Sequence, residues 1–202
     1  MTRIKLCGLS RPCDIEAANA LAVEYIGFVF APKSCRYVTP QQAAELMKLL
    51  APGIQAVGVF VNEPPESVAE LLNNSVIDLA QLHGDENEDY IKQLRALTDK
   101  PILQAFRVAS AKDAAKAEHS TANHILLDSG AGTGAVFDWK LIRNMKRPYF
   151  LAGGLGPDNV ASAVKALQPY AVNVSSGIET DGRKDRNKMA AFVAAVRKED
   201  QT

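Results

Sequence analysis

Short apolar runs alternate with stretches of helical periodicity from one end of the chain to the other. The runs Ile4–Cys7, Tyr25–Phe30, Gln55–Val61, Leu79–His83, Ile102–Val108, His124–Asp128, Tyr149–Gly153 and Ala171–Ser175 read as strands. Between them apolar residues recur at helical spacing in Pro12–Ala22, Pro40–Leu50, Pro65–Asn73 and Glu88–Leu97. The later helices are expected at Ala111–His119, Trp139–Met145, Pro157–Leu167 and Lys184–Lys198. Thr39-Pro40 and Gly156-Pro157-Asp158 set proline at a first helical turn, where the missing N–H has no partner to lose. A strand followed by a helix, eight times over, demands parallel pairing, because each crossover returns the chain to the same edge. An open doubly wound sheet can hold that alternation, but eight regular units closing on themselves fit better. The expected architecture is α/β, a (βα)8 TIM barrel occupying residues 1–202 as one domain.

The period of two within a strand tells which side chains face the barrel axis. In the first strand Ile4 and Leu6 share one face and Lys5 and Cys7 the other. Helices cover the outside, so the apolar pair points outward; Lys5 enters the interior and Cys7 stands above it at the C-terminal mouth. The same reasoning turns Ile125 and Leu127 toward the helices and Asp128 inward at the end of the sixth strand. In strand eight it turns Asn173 inward, next to the Lys5–Cys7 layer. Strand ends at the mouth are where barrels of this kind carry their chemistry.

Composition narrows the partners. Lys+Arg and Asp+Glu each total 23, so no net charge draws the chain to nucleic acid or an acidic membrane. The first residues lack the apolar core of a secretory signal, and no apolar run approaches the ~20 residues that span a bilayer. Cys7, Cys13 and Cys35 form an odd set without metal-ligand spacing, which points to a reducing, cytoplasmic setting and no metal.

A thiol and a carboxylate on opposite sides of one mouth would flank a ligand, one delivering a proton while the other removes one. Each alone has a plain alternative: a small buried apolar side chain for Cys7, a helix cap for Asp128. Two glycine-bearing turns follow the last strands: Gly153-Gly154-Leu155-Gly156-Pro157-Asp158-Asn159 and Ser175-Ser176-Gly177. Glycine lets backbone N–H groups approach an anion, and these two loops are the usual phosphate cradle of the fold. Arg36, after strand two, could fork onto a carboxylate, or could be a solvated loop arginine. His83, at the end of strand four, could meet the ligand or be a structural hydrogen-bond partner. Gly130–Gly134 reads as a flexible loop and lacks the features of a nucleotide fingerprint.

Taken in order, the segments Lys5–Gly8, Gly27–Tyr37, Val57–Asn62, Gln81–Glu86, Leu126–Ser129, Gly132–Gly134 with Phe137–Trp139, Leu151–Asn159, Ser175–Glu179 and Gly182–Asp185 closely resemble the phosphoribosylanthranilate isomerase family. The resemblance implies an Amadori rearrangement of N-(5′-phosphoribosyl)anthranilate in tryptophan biosynthesis. It implies Cys7 as general base, Asp128 as general acid, Arg36 on the anthranilate carboxylate, and the glycine and serine loops on the phosphate. It implies a small-molecule phosphoribosyl substrate, no metal or organic cofactor, and no obligate protein partner, nucleic acid or membrane. An ordinary thiol titrates near 8.5 and an aspartyl carboxyl near 3.9, so both roles need a tuned surrounding, and Lys5 is one source of it for the thiol. The chain departs from the family at Asn173, where aspartate is usual, and near Ala135, where a lysine is common. The nearest rival, a related phosphoribosyl barrel of histidine synthesis, uses aspartate where this chain has Cys7. A non-catalytic phosphosugar-binding barrel would keep the anion cradle without needing the thiol and carboxylate.

Overall fold

The computed structural model describes residues 1–128 and 139–200. Eight parallel strands close into one barrel in sequence order: β1 (Arg3–Cys7), β2 (Tyr25–Val29), β3 (Gln55–Phe60), β4 (Leu79–Leu82), β5 (Ile102–Arg107), β6 (His124–Asp128), β7 (Tyr149–Leu151) and β8 (Ala171–Val174). β8 returns to β1 with Lys5 opposite Asn173, and β1 meets β2 with Cys7 opposite Gly27. The helices α1 (Pro12–Leu21), α2 (Pro40–Met47), α3 (Pro65–Asn73), α4 (Glu88–Leu97), α5 (Ala111–Glu118), α6 (Val160–Leu167) and α7 (Arg186–Glu199) form the outer layer. Their first turns are set as the sequence suggests: Thr39 and Gln42 cap α2 reciprocally, and Asn87 accepts from the Tyr90 N–H at the start of α4.

The alternation along each strand separates two cores. Ile4, Leu6, Ile125, Leu127, Val172 and Val174 belong to the layer between barrel and helices. Tyr25, Val57, Leu79, Leu103, Leu126, Phe150 and Ala171 fill the barrel interior. Above them Cys7, Val29 and Val59 form a small apolar ring just under the mouth.

Three expected elements differ. Trp139–Met145 was expected as a helix; the structure has a single 3₁₀ turn, Trp139–Leu141, continued by i→i+3 bonds from Ile142 to Trp139 and Met145 to Ile142. The run of i→i+3 bonds stops before Arg147-Pro148, where proline forces the chain to extend. α6 begins at Val160 rather than Pro157, because the Asn159 side chain spans back to Gly154 and Gly156 instead of starting a helix. Lys184 does not open the last helix: it lies on the second strand of a hairpin, β9 (Glu179–Thr180) and β10 (Arg183–Lys184), and α7 starts after Asp185, which accepts from the Asn187 and Lys188 N–H groups. The Gly130–Gly134 loop and the Ala135 departure lie outside the described residues.

At the N-terminal end the barrel is plugged by aromatic rings. Phe150 packs edge-on to Tyr25 with centroids 5.3 Å apart, and His124 stacks on Tyr170 at 5.7 Å. The Arg3 guanidinium sits 4.4 Å from the Tyr170 ring centroid, and the Tyr25 and Tyr170 hydroxyls are 3.2 Å apart. Burial, helped by the Arg147 and Arg3 charges, holds His124 below its ordinary 6.5. The unfolded chain therefore binds more protons than the folded one as pH falls below that value, so stability is complete above it and declines beneath it. His124→Phe is expected to flatten the fall of the urea midpoint between about pH 7 and about pH 5.5, a window separate from that of the carboxylates. A slope equal to that of the native chain would mean that another group titrates there.

Candidate active site

β1 delivers Cys7 to the mouth, and the neighbouring strand makes room for it. A Cβ at Gly27 would lie 2.7 Å from Cys7 Sγ, so the absent side chain on β2 is what lets the thiol stand against that strand. Cys7 is only 7% exposed. Lys5 Nζ lies 3.6 Å from its sulfur and donates to Gln81 Oε1. Burial pushes the Lys5 ammonium below its ordinary value, while the charge of Cys7 and its hydrogen bond act in the opposite direction.

From Gln81 the contacts continue around the interior. Gln81 Nε2 is 2.6 Å from His83 Nδ1, and His83 Nε2 is 3.5 Å from Asp128 Oδ2. The residues after His83 are braced against the loop after β3. Glu86 accepts from the Asn62 and Gly84 N–H groups at 2.6 and 2.7 Å, and Asn62 Oδ1 accepts from the Asp85 N–H. Cys7 and Asp128, on strands far apart around the ring, are thus joined by side chains of β1 and β4 and by His83 just beyond.

Arg36, Asp128, Gly153, Gly154, Asn173, Ser175 and Ser176 line one cavity of about 250 Å³ at the C-terminal mouth. A larger hollow of about 670 Å³, bounded by Arg3, Lys165 and Tyr170, lies at the opposite end of the barrel, away from the strand ends that carry the acid and the thiol. Gly153 and Gly154 have φ of 91° and 64°, a left-handed pair that side chains rarely adopt. Asn159 braces the turn, accepting from the Gly156 N–H and donating to the Gly154 carbonyl. Gly177 lies against the Leu155 carbonyl so closely that any Cβ would overlap it, so the two glycine-bearing loops meet backbone to backbone. Asn173 Oδ1 is buried and has no hydrogen-bond partner among the described residues.

Arg36 is not a solvated arginine. Its Nε and Nη2 each lie 2.7 Å from an oxygen of Glu179, a two-pronged pair, and a Cβ at Gly8 would strike its side chain. Lys184 Nζ closes the cluster, 2.5 Å from Glu179 Oε1 and 3.0 Å from the Ser175 carbonyl. For Glu179 burial pushes the carboxyl up, but the bonds from Arg36 and Lys184 outweigh it and hold it below the ordinary carboxylate value. Burial pushes Lys184 down, with Glu179 opposing.

Glu179, Lys184 and Gln81 were not singled out from the sequence. A signal existed for the first two. Asp181-Gly182, both with positive φ, is the two-residue turn that pairs Thr180 with Arg183 and so sets Glu179 opposite Lys184. Gln81 carried no signal beyond its inward parity.

Losing the Glu179 charge strands a buried ammonium beside a half-buried guanidinium. Glu179→Gln is therefore expected to cost roughly 3 kcal/mol at neutral pH in urea unfolding. The folded-state carboxyl is depressed, so its contribution is present above the unfolded value and lost as pH falls through the folded one. The gap between the two proteins should close in acid. Equal stabilities at neutral pH would show the cluster to be energetically idle.

A family model for N-(5′-phosphoribosyl)anthranilate (PRA) isomerase matches residues 4–195. A protein of Dechloromonas aromatica named N-(5′-phosphoribosyl)anthranilate isomerase is 46% identical over 209 residues, covering 100% of this chain and 99% of its own. A namesake from Thermoanaerobacter pseudethanolicus is 42% identical over 204 residues, 98% of each chain. The crystal structure of phosphoribosyl anthranilate isomerase from Thermotoga maritima superposes with a TM-score of 0.89 at 34% identity, covering 98% of this chain and 100% of that one. Another structure of such an isomerase, in complex with reduced 1-(o-carboxyphenylamino)-1-deoxyribulose 5-phosphate, gives a TM-score of 0.88 at 34% identity, with 98% and 100% covered.

Proposed function

The chain belongs to the N-(5′-phosphoribosyl)anthranilate isomerase family, and we propose that Cys7 and Asp128 perform that family's proton transfers in this barrel. It is an isomerase of tryptophan biosynthesis, converting N-(5′-phosphoribosyl)anthranilate to 1-(2-carboxyphenylamino)-1-deoxyribulose 5-phosphate. The observation that carries the assignment of residues is the mouth cavity, where an acid, an arginine and two glycine-bearing loops converge beside a buried thiol held by a lysine.

Asp128, protonated, gives its proton to the ribose ring oxygen as the C1–O bond breaks, leaving an open-chain Schiff base. Cys7, as thiolate, takes the proton from C2, and the electron pair flows into an enolamine. Tautomerisation of the enolamine, with a proton gained at C1 and lost from the C2 hydroxyl, yields the ketone. The 5′-phosphate is received by backbone N–H groups of the Gly153–Gly154 turn and of Ser176–Gly177. Ser175 borders the same cradle and is fixed through its carbonyl by Lys184. Glu179 occupies the Nε–Nη2 edge of Arg36 and leaves the Nη1–Nη2 edge for the anthranilate carboxylate. Asn173 Oδ1 accepts from a substrate hydroxyl, a task that the usual aspartate could also perform. His83 meets the ligand side of the mouth through Asp128. The ligand is a small phosphoribosyl compound. Among the described residues no helix is long and apolar enough to cross a membrane, and no group of three or more His, Cys, Asp or Glu is arranged to hold a metal ion.

Turnover of freshly generated phosphoribosylanthranilate, followed by loss of its fluorescence, separates the roles. Cys7→Ala and Asp128→Asn are each expected to lower kcat by ~10²–10⁴-fold with little change in KM. Arg36→Met should instead raise KM at least ~10-fold, the cost of one charged hydrogen bond. A kcat within about threefold of the native chain would remove Cys7 or Asp128 from its role, and an unchanged KM in Arg36→Met would remove Arg36 from the carboxylate.

Gly177→Ala addresses the phosphate cradle. The added methyl must push the serine loop off the Leu155 carbonyl, so inhibition by inorganic phosphate is expected to weaken ~10-fold or more. Unaltered phosphate inhibition in a folded Gly177→Ala protein would place the anion elsewhere.

A further inference from the structure

We propose that Lys5, acting through Gln81, locks His83 as the neutral tautomer that carries its proton on Nε2, so that His83 serves Asp128 as a hydrogen-bond donor and never as a proton acceptor. The inference deepens the acid–base reading above and rests on Asp128 being the acid.

The chain of contacts has only one polarity. An ammonium donates and cannot accept, so Lys5 Nζ must face the oxygen of the Gln81 amide, whichever way that amide is drawn. The amide nitrogen is then turned to His83 Nδ1, 2.6 Å away. An amide N–H₂ also only donates, so Nδ1 must offer its lone pair. A neutral imidazole with a bare Nδ1 has its proton on Nε2, and Nε2 is the atom 3.5 Å from Asp128 Oδ2. Burial removes the alternatives: Lys5 has no exposed surface and Gln81 only 1%, so neither group can turn to bulk water. The bonds of Glu86 to the Asn62 and Gly84 N–H groups hold the backbone that follows His83.

The consequence for the reaction is directional. With N–H rather than a lone pair facing it, Asp128 cannot lose its proton to His83. Its proton stays available to the substrate ring oxygen. Once the proton has left, the new carboxylate gains the Nε2–H bond, and a contact that is long before reaction shortens as charge develops. Lys5 thus touches both halves of the chemistry: its ammonium contacts the Cys7 thiol directly and sets the tautomer beside Asp128 at two removes. Lys5, Gln81 and His83 are positioning residues; none of them exchanges a proton with substrate.

The chain has three histidines, His83, His119 and His124, so ¹⁵N NMR of histidine-labelled protein resolves each ring, with His83→Asn assigning the one in question. At mildly alkaline pH the native chain is expected to show His83 with a bare Nδ1 and a protonated Nε2. In Gln81→Glu the carboxylate retains the Lys5 contact and presents an acceptor to the ring, which must place a proton on Nδ1. The same variant should lose about 10- to 100-fold in kcat with KM within about threefold, as one charged hydrogen bond to the acid is spoiled. Should Gln81→Glu fail to fold, Lys5→Met frees the amide to turn, and Nδ1–H signal should emerge at His83. A native Nδ1–H tautomer, or a bare Nδ1 that persists in Gln81→Glu or Lys5→Met, overturns the lock. Undiminished turnover in Asp128→Asn would refute the acid role instead, and leaves the ring signatures to decide the tautomer on their own.

Discussion

A wholly buried ammonium is the constraint around which this barrel is arranged. Taking Lys5 out of water costs several kcal/mol even after relaxation, and that cost persists unless the charge meets partners inside the barrel. Two are provided, one above and one across: Cys7 two residues on along β1, and Gln81 on β4. The first partnership sets a positive charge against the thiol. The second orients an amide, the amide orients His83, and His83 reaches Asp128. An apolar side chain at this position could fill the barrel, as Val57 and Leu103 do elsewhere in it, but it would organise neither end of the mouth.

The loops after β7 and β8 depend on a different principle, the removal of side chains. Gly177 meets the Leu155 carbonyl without a Cβ between them, and Gly153 and Gly154 take left-handed conformations. What is left is closely packed backbone, held by Asn159 on one loop and Lys184 on the other. Charge enters from behind. Glu179 lies between Lys184 and Arg36, neutralising one cation and aiming the other, so the guanidinium reaches the cavity with one edge already committed.

The barrel, its strand parity and the inward placement of Lys5, Cys7, Asp128 and Asn173 were legible in the sequence because they follow from a period of two repeated over eight strands. The two glycine-bearing turns were legible because glycine alone suits a left-handed backbone at Gly153 and Gly154 and the close approach at Gly177. Local competition hid the rest. Nothing in Trp139–Met145 announces the tighter 3₁₀ turn, because the apolar spacing there is helical. The hairpin that carries Lys184 is two short strands, below the length at which alternation can be read, although Asp181-Gly182 marks its turn. The pairing of Arg36 with Glu179 joins residues 143 positions apart and has no local signature at all. Gln81 was invisible for the opposite reason: its importance comes wholly from the donor-only group on one side and the imidazole on the other.

The proton transfers depend on where the substrate's reacting carbons sit. A crystal structure of this chain with reduced 1-(o-carboxyphenylamino)-1-deoxyribulose 5-phosphate bound tests that directly. The phosphate should lie between the Gly153–Gly154 turn and Ser176–Gly177, and the carboxylate on the free edge of Arg36. Cys7 Sγ should stand within about 3.5 Å of ribulose C2, with Asp128 on the other side of the chain near the former ring oxygen. A ligand bound with its phosphate in these loops but with C2 turned away from Cys7, out of reach of the thiol, would contradict it.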